Sequence, residues 1–155
     1  MMLFWLEDRE QTVMPHLTKL KTLNLQPTLH PTPTSLKYVL EDYADELNAQ
    51  PSAIVVDIML HGIHDLTDIG IENSNTSSGV HTGYIFVDRF LRKTGSPYFR
   101  VPVCFLTERE ITPELSEEIQ YIRERPDSGP VEILKKYSDN DLERFVALIR
   151  AWLRL

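Results

Sequence analysis

The run AIVVDIML, residues 53–60, is apolar except for Asp57. Ile54, Val55 and Val56 lead into the acid, and Ile58, Met59 and Leu60 follow it. A continuous run of this kind suits a parallel strand buried on both faces. Packing gives no reason for a carboxylate inside it, so Asp57 needs another explanation. The neighbouring segments supply the frame. MLFWL (2–6) and VPVCFL (101–106) are strand-like runs of the same type, and VEIL (131–134) is a shorter one. LQPTLHPT is a weak strand interrupted by proline, which places it at a sheet edge.

Helix-period segments separate these runs. Val13, Leu17 and Leu20 share one face, and Leu36, Val39, Leu40, Tyr43 and Leu47 share another between Ser35 and Leu47. Thr112-Pro113-Glu114 opens a helix with Pro at its first position and an acid in its first turn. Ser138 caps a last helix, with Asp141 at capping-box spacing. Its apolar face is Leu142, Phe145, Val146, Ile149, Trp152 and Leu153. The order β-α-β-α-β-α-β-α-β-α predicts an α/β fold, a doubly wound parallel sheet with helices on both faces. The chain of 155 residues reads as one domain.

One break interrupts the pattern. Residues 61–82, HGIHDLTDIGIENSNTSSGVHT, separate the third strand from its helix. Ordinary βα loops run about 2–6 residues, so this is an insert. It reads as a mobile lid or a partner-docking loop, with Gly79 and Gly83 as hinges. His61, His64, Asp65, Asp68 and His81 also offer transition-metal ligands, although no cysteine joins them.

Composition excludes several classes. The formal net charge is −7, against the clustered basic patch that nucleic acid needs. No apolar run approaches the ~20 residues that span a bilayer. MMLFWLEDRE has no basic n-region, so no signal peptide is expected, and the cytoplasm is the natural location. The single cysteine, Cys104, sits in a strand-like run and reads as core filler.

In open α/β sheets, ligands bind outside the carboxyl ends of the strands. The polar residues there are Glu7 and Asp8, Asp57, Thr107, and Lys135 with Lys136. Three carboxylates on one rim repel one another unless a cation joins them. A hard ion such as Mg²⁺ fits such acids together with a phosphoryl oxygen. The rim therefore suits a carboxylate, a metal and a phosphoryl group together.

The blocks WLEDRE, VVDIMLHG, FLTERE and ILKKYSDNDLERF, in this order, resemble the signature blocks of the response-regulator receiver domain. The resemblance covers nearly the whole chain apart from the insert and the second strand. It implies a flavodoxin-like five-stranded sheet of order 2-1-3-4-5. It implies a stand-alone phosphoacceptor in two-component signalling rather than a turnover enzyme. Asp57 would take the phosphoryl group as a carboxylate nucleophile. Mg²⁺ would be held by Asp8, by Glu7 through water, by Asp57 and by the backbone carbonyl of Met59. Thr107 would hydrogen-bond the phosphoryl oxygen, and Lys136 would pair with it. The implied partners are a histidine kinase or phosphotransfer protein and a downstream protein target, or a second copy in a homodimer.

Three positions depart from the family pattern. Tyr137 replaces a proline that follows the lysine through a cis bond; a cis bond before a non-proline costs about 3–4 kcal/mol, so a differently shaped trans loop is expected. Ile133 replaces the switch aromatic, and Glu108 stands where a small residue admits the phosphodonor, with Arg109 beside it as a neutralising partner. These departures support an alternative, a pseudo-receiver that binds partners with little or no phosphorylation. A Mg²⁺-dependent phosphohydrolase on a similar sheet is a third reading. It would carry an acid two residues past the nucleophile, where this chain has Met59.

Overall fold

Each strand alternates its side chains between two faces, and each face carries its own core. Phe4, Leu6, Ile54, Val56, Val103 and Phe105 pack to one side, with the helices that follow the second, third and fourth strands. Leu3, Trp5, Ala53, Val55, Cys104 and Leu106 pack to the other, against the first and last helices. The structure, a computed structural model, describes residues 2–47, 50–63 and 65–155. The side chain of Leu47 and the whole of His64 lie outside the described residues.

The strands are β1 (Leu3–Leu6), β2 (Leu29–His30), β3 (Ala53–Val56), β4 (Val103–Thr107) and β5 (Val131–Lys135). They form one parallel sheet in the order β2-β1-β3-β4-β5, as expected. The proline-interrupted strand is at the edge. The helices are α1 (Met14–Lys21, entered through a 3₁₀ turn at Glu10–Val13), α2 (Pro33–Leu47), α3 (Thr82–Phe86, continued by a π turn at Val87–Leu91), α4 (Pro113–Arg123) and α5 (Asp139–Leu153). Among the described residues, no helix is long and apolar enough to cross a membrane.

Local chemistry explains the ends. The Asp141 N–H donates to Ser138 Oγ at 3.2 Å, so the expected cap is made, and the Leu115 N–H donates to Thr112 Oγ1 at 3.2 Å, so Thr112 caps the helix that Pro113 opens. A third cap falls earlier than the spacing suggested. Thr32 Oγ1 accepts from the Ser35 N–H at 3.0 Å and Ser35 Oγ accepts from the Thr32 N–H at 3.3 Å, and α2 starts at Pro33 rather than Ser35. On α5, Phe145, Ile149 and Leu153 are buried, and Val146 and Trp152 pack at the core margin.

The insert differs from its expectation as a hinged flap. Leu66, Ile69 and Ile71 are buried in the core of the α2–α4 face, and Thr67–Ile69 form a 3₁₀ turn. Asp68 Oδ2 accepts from the Thr34 hydroxyl at 2.5 Å, tying the insert to α2. Gly79 and Gly83 are close-approach positions, not hinges. A Cβ on Gly83 would lie 1.9 Å from the Asp57 carbonyl oxygen, and one on Gly79 would lie 2.3 Å from that of Leu60. The Gly83 N–H donates to the Ile58 carbonyl at 2.9 Å, and the Leu60 N–H donates to that of Gly79 at 2.9 Å. The return of the insert is thus seated on the chain just past Asp57. Only glycine permits that approach.

Candidate functional site

Register brings the rim residues together. Leu6 is opposite Val56, and the Asp57 N–H continues the ladder to the Leu6 carbonyl at 2.9 Å. The Glu7 N–H donates to the His30 carbonyl at 2.9 Å. On the other side, Thr107 is opposite Lys135, and the Lys136 N–H donates to the Thr107 carbonyl at 2.8 Å. The ends of β1, β3, β4 and β5 therefore finish level with one another.

Lys136 is the hub. Its ammonium lies 2.8 Å from Asp57 Oδ2, 2.8 Å from Glu7 Oε2 and 3.0 Å from Thr12 Oγ1. All four residues are buried. The described residues contain no cis peptide bond, so Tyr137 follows Lys136 through a trans bond and the lysine still reaches Asp57. Burial, reinforced by the charge of Asp57, pushes Glu7 up to about 8. Burial also pushes Asp57 up to about 6, against the opposing pull of Lys136. Desolvation alone would lower Lys136, but Asp57 and Glu7 outweigh it and its pKa rises. At neutral pH the pocket therefore balances one ammonium against one ionised carboxylate, with Glu7 largely protonated.

Asp8 stands beside this pair with a free ligand atom. Its Oδ2 accepts from the His61 N–H at 3.0 Å, and its buried Oδ1 has no partner among the described residues. Carboxylate oxygens of Glu7, Asp8 and Asp57 lie within 4.8 Å of one another. The all-oxygen donor set suits a hard divalent cation, and the unpartnered Asp8 oxygen is the atom such an ion would satisfy. The backbone at Met59 curls round the acid, donating its N–H to Asp57 Oδ1 at 3.2 Å. The histidine-rich insert holds no comparable group among the described residues. His61 faces Arg9, Asp68 takes the Thr34 hydroxyl, and His81 lies between Arg109 and Glu118.

Four loops close over the acids. Arg9 Nη1 lies 2.8 Å from His61 Nε2 and 3.4 Å from Glu108 Oε1, and the Tyr137 hydroxyl donates to Glu108 Oε2 at 3.3 Å. Below this cover Asp57 is 1% exposed and Thr107 is 0% exposed. The Thr107 hydroxyl accepts from the Arg109 N–H at 3.0 Å. Sequence spacing suggested Arg109 as the partner of Glu108. Instead Arg9 takes that place, and Arg109 Nη1 meets His81 Nδ1 at 2.7 Å. His81 in turn contacts Glu118 of α4 at 2.8 Å. Lys135, the other lysine of the rim, donates to the carbonyls of Glu108 and Arg109 at 3.2 and 2.8 Å and so shapes this loop. Cys104 is fully buried, as expected of a core filler, and burial raises its thiol.

The comparisons with known proteins follow the same geometry. No protein-family model and no curated protein matches the chain. Solved structures do. The receiver domain of NtrX from Brucella abortus is 15% identical with a TM-score of 0.62, and the match covers 98% of each chain. The BeF₃-activated N-terminal receiver domain of Klebsiella pneumoniae RstA is 15% identical with a TM-score of 0.61 over 100% of each chain. The chain has the receiver-domain fold. The Mn²⁺-bound form of the response regulator Rcp1 is a further neighbour of that fold, 15% identical with a TM-score of 0.61, covering 97% of this chain and 93% of the other. Within this receiver fold, the acid cluster and Lys136 occupy the carboxyl ends of the strands, where ligands of open α/β sheets bind.

Sequence spacing missed one group near the site. His16 of α1 is fully buried, and neither ring nitrogen has a partner among the described residues. Its ring meets Phe145 edge-on at 5.2 Å. Burial, with Lys136 nearby, pushes its pKa down to about 4. In the unfolded chain a histidine titrates near 6.5, so the unfolded state takes up a proton first as pH falls. Stability is therefore lost between about pH 6.5 and 4, by about 3 kcal/mol from this residue. Urea unfolding of the protein and of His16→Leu at pH 7 and pH 4.5 isolates the effect, because Glu7 and Asp57 act with the opposite sign in both proteins. An equal acid response in the two proteins would remove His16 from the account.

Proposed function

We propose that this protein is a phosphoacceptor of two-component signalling, taking a phosphoryl group on Asp57 from a histidine kinase or phosphotransfer protein. The observation that carries the reading is the Lys136 ammonium, 2.8 Å from both Asp57 and Glu7 at the carboxyl end of the sheet. Phosphoryl transfer depends mostly on positioning and charge neutralisation, and this pocket offers both. One Asp57 carboxylate oxygen attacks phosphorus. The bond from phosphorus to the donor nitrogen breaks, its electron pair stays on the donor imidazole, and that nitrogen takes up a proton. The product is an acyl phosphate on Asp57. Lys136 pairs with the new phosphoryl charge, and the Thr107 hydroxyl turns from accepting the Arg109 N–H to donating to a phosphoryl oxygen. Glu7, Asp8, Asp57 and the Met59 carbonyl would hold Mg²⁺, which supplies neutralising charge at the phosphoryl oxygens. Later attack of water on phosphorus restores the carboxylate and releases inorganic phosphate, so the domain switches rather than turns over substrate.

The partners of this reading are the phosphodonor and a downstream protein that distinguishes the two states. The cytoplasm is the compartment that contains such donors, and the lone buried Cys104 thiol is compatible with it. The test is incubation with acetyl phosphate and Mg²⁺, followed by mass spectrometry of the peptide bearing Asp57. A base-labile phosphoryl adduct on Asp57 is expected. An unmodified Asp57 after prolonged incubation would overturn the reading.

One observation favours a second reading, that of a pseudo-receiver acting by partner binding alone. Arg9, His61, Glu108 and Tyr137 cover the acids, and Asp57 is almost without solvent exposure. On that reading the covered end of the sheet is a fixed binding face, and acetyl phosphate leaves the protein unchanged.

A further inference from the structure

A second cavity lies at the opposite end of β4 from Thr107. Its volume is about 1020 Å³, at the upper end of the roughly 300–1,000 Å³ typical of small-molecule sites. Its lining includes the middle of the insert, Gly70 to Glu72, and the end of α4 with the residues just after it. Between them run the π turn after α3 and the loop leading to β4. π turns are rare and concentrate at functional sites, because the extra residue re-aims side chains. Here the turn delivers Asp88, Arg89 and, just past it, Arg92 to the cavity.

The cavity has a fixed floor and a free cationic rim. Arg92 is 1% exposed and donates to the Tyr98 carbonyl at 2.9 Å, the Val101 carbonyl at 2.6 Å and Ser128 Oγ at 3.1 Å. Arg125 donates to the Arg92 carbonyl at 3.0 Å and pairs with Asp88. These two guanidiniums are consumed in holding the loop, and Asp88 is consumed with them. The rim cations are differently placed. Among the described residues, Arg89 meets only the Glu72 carbonyl, at 3.0 Å, and Lys93 is exposed with no ion pair. Arg100 touches Asp127 only at 3.9 Å, with both side chains over three-quarters exposed, a pair of little worth. Glu72 and Asp127 share the lining, so with Asp88 three acids face five cations, Arg89, Arg92, Lys93, Arg100 and Arg125, and the excess is positive in a chain of formal charge −7. The rim cations match an anion that carries several charges. Two aromatic side chains, half-buried Phe99 and exposed Tyr121, line the same cavity, and the Arg125 guanidinium lies 5.1 Å from the Tyr121 ring centroid. Aromatic rings and a guanidinium on one lining offer stacking surfaces for a planar base.

We infer that this cavity binds a nucleoside di- or triphosphate, its phosphates against Arg89, Lys93 and Arg100 and its base against Phe99 and Tyr121. The inference is independent of phosphorylation at Asp57, since the cavity shares no residue with the acid pocket. It also gives the insert a structural role as one wall of a ligand site.

The experiment is isothermal titration of the full chain with ATP and GTP in EDTA, so that no metal–nucleotide complex can occupy the acid pocket. Adenosine and inorganic phosphate serve as the half-ligands. Saturable binding of a nucleotide is expected, with both half-ligands at least about tenfold weaker. Amide shifts should fall in 70–72, 88–100 and 121–127. Arg89→Glu with Lys93→Glu should weaken ATP by about tenfold or more while melting near the parent temperature. Tyr121→Ala, at an exposed side chain, should weaken ATP without changing the response to phosphate. Absence of nucleotide binding at millimolar concentration would overturn the proposal. So would phosphate binding as tightly as ATP, unchanged affinity in both variants, or shifts confined to residues 7–9 and 57–61.

Discussion

Asp57→Asn is expected to abolish phosphoryl uptake while the fold survives. The amide keeps the shape of the carboxylate, and its oxygen can still accept the Met59 N–H that Asp57 Oδ1 accepts at 3.2 Å. It loses the anionic oxygen that attacks phosphorus, so no acyl phosphate can form. The charge balance of the pocket also survives. Asp57 is, after burial itself, a cause that raises Glu7, and without it Glu7 is held less high and its ionised form is favoured by Lys136 beside it. One carboxylate still faces one ammonium, and stability is expected to stay within about 1–2 kcal/mol of the parent. Acetyl phosphate labelling should drop to background while the thermal melt remains cooperative. Labelling retained in Asp57→Asn would move the acceptor to another residue.

Lys136→Met carries the larger effect on stability. Breaking a buried ion pair from one side costs about 3–5 kcal/mol, because the remaining charge is left uncompensated. Here one deletion strands two carboxyl groups, Asp57 and Glu7, both buried and both 2.8 Å from the missing ammonium. Thr12 also loses its 3.0 Å partner. The loss must depend on pH. Without the ammonium, both carboxyls are raised further above their unfolded values near 4, so the folded state holds protons that the unfolded state has released. Stability then falls as pH rises through the interval between the unfolded and folded values. Lys136→Met should therefore lie near the parent at pH 5 and well below it at pH 8 in urea titrations. Equal stability of the two proteins at pH 8 would mean that the ammonium does not hold the acids in place.

The two variants also separate two roles that the rim combines. Asp57 is chemically required and electrostatically replaceable, because Glu7 can take over as the counter-charge. Lys136 is required for both, since among the described residues it is the one cation paired with the buried acids. That asymmetry follows from the raised Glu7, which acts as a reserve carboxylate.

Much of the fold was legible in the residue pattern. Continuous apolar runs at 53–56 and 103–106, helix-period segments between strands and helix starts at Thr112 and Ser138 are local features, and local physics decides them. The acids and the lysine were legible for the same reason, since a polar residue that ends a buried strand stands out against apolar neighbours. The insert was misread because its apolar residues, Leu66, Ile69 and Ile71, are scattered among Ser, Asn and Thr with no period. The glycines at 79 and 83 were misread because a close backbone approach leaves the same residue in the sequence as a hinge does.

By itself, then, the sequence determined the element order, the edge position of β2 and the set of residues on the rim. Those follow from period, proline and chain order, which are properties of neighbours along the chain. Only the tertiary structure decided which charges meet. Arg9 rather than Arg109 faces Glu108, Lys136 reaches two acids through a trans peptide, and Arg89, Lys93 and Arg100 gather round one cavity. Charge pairing is settled by distance across loops far apart in sequence. Parallel crossovers bring those loops together without leaving a local mark.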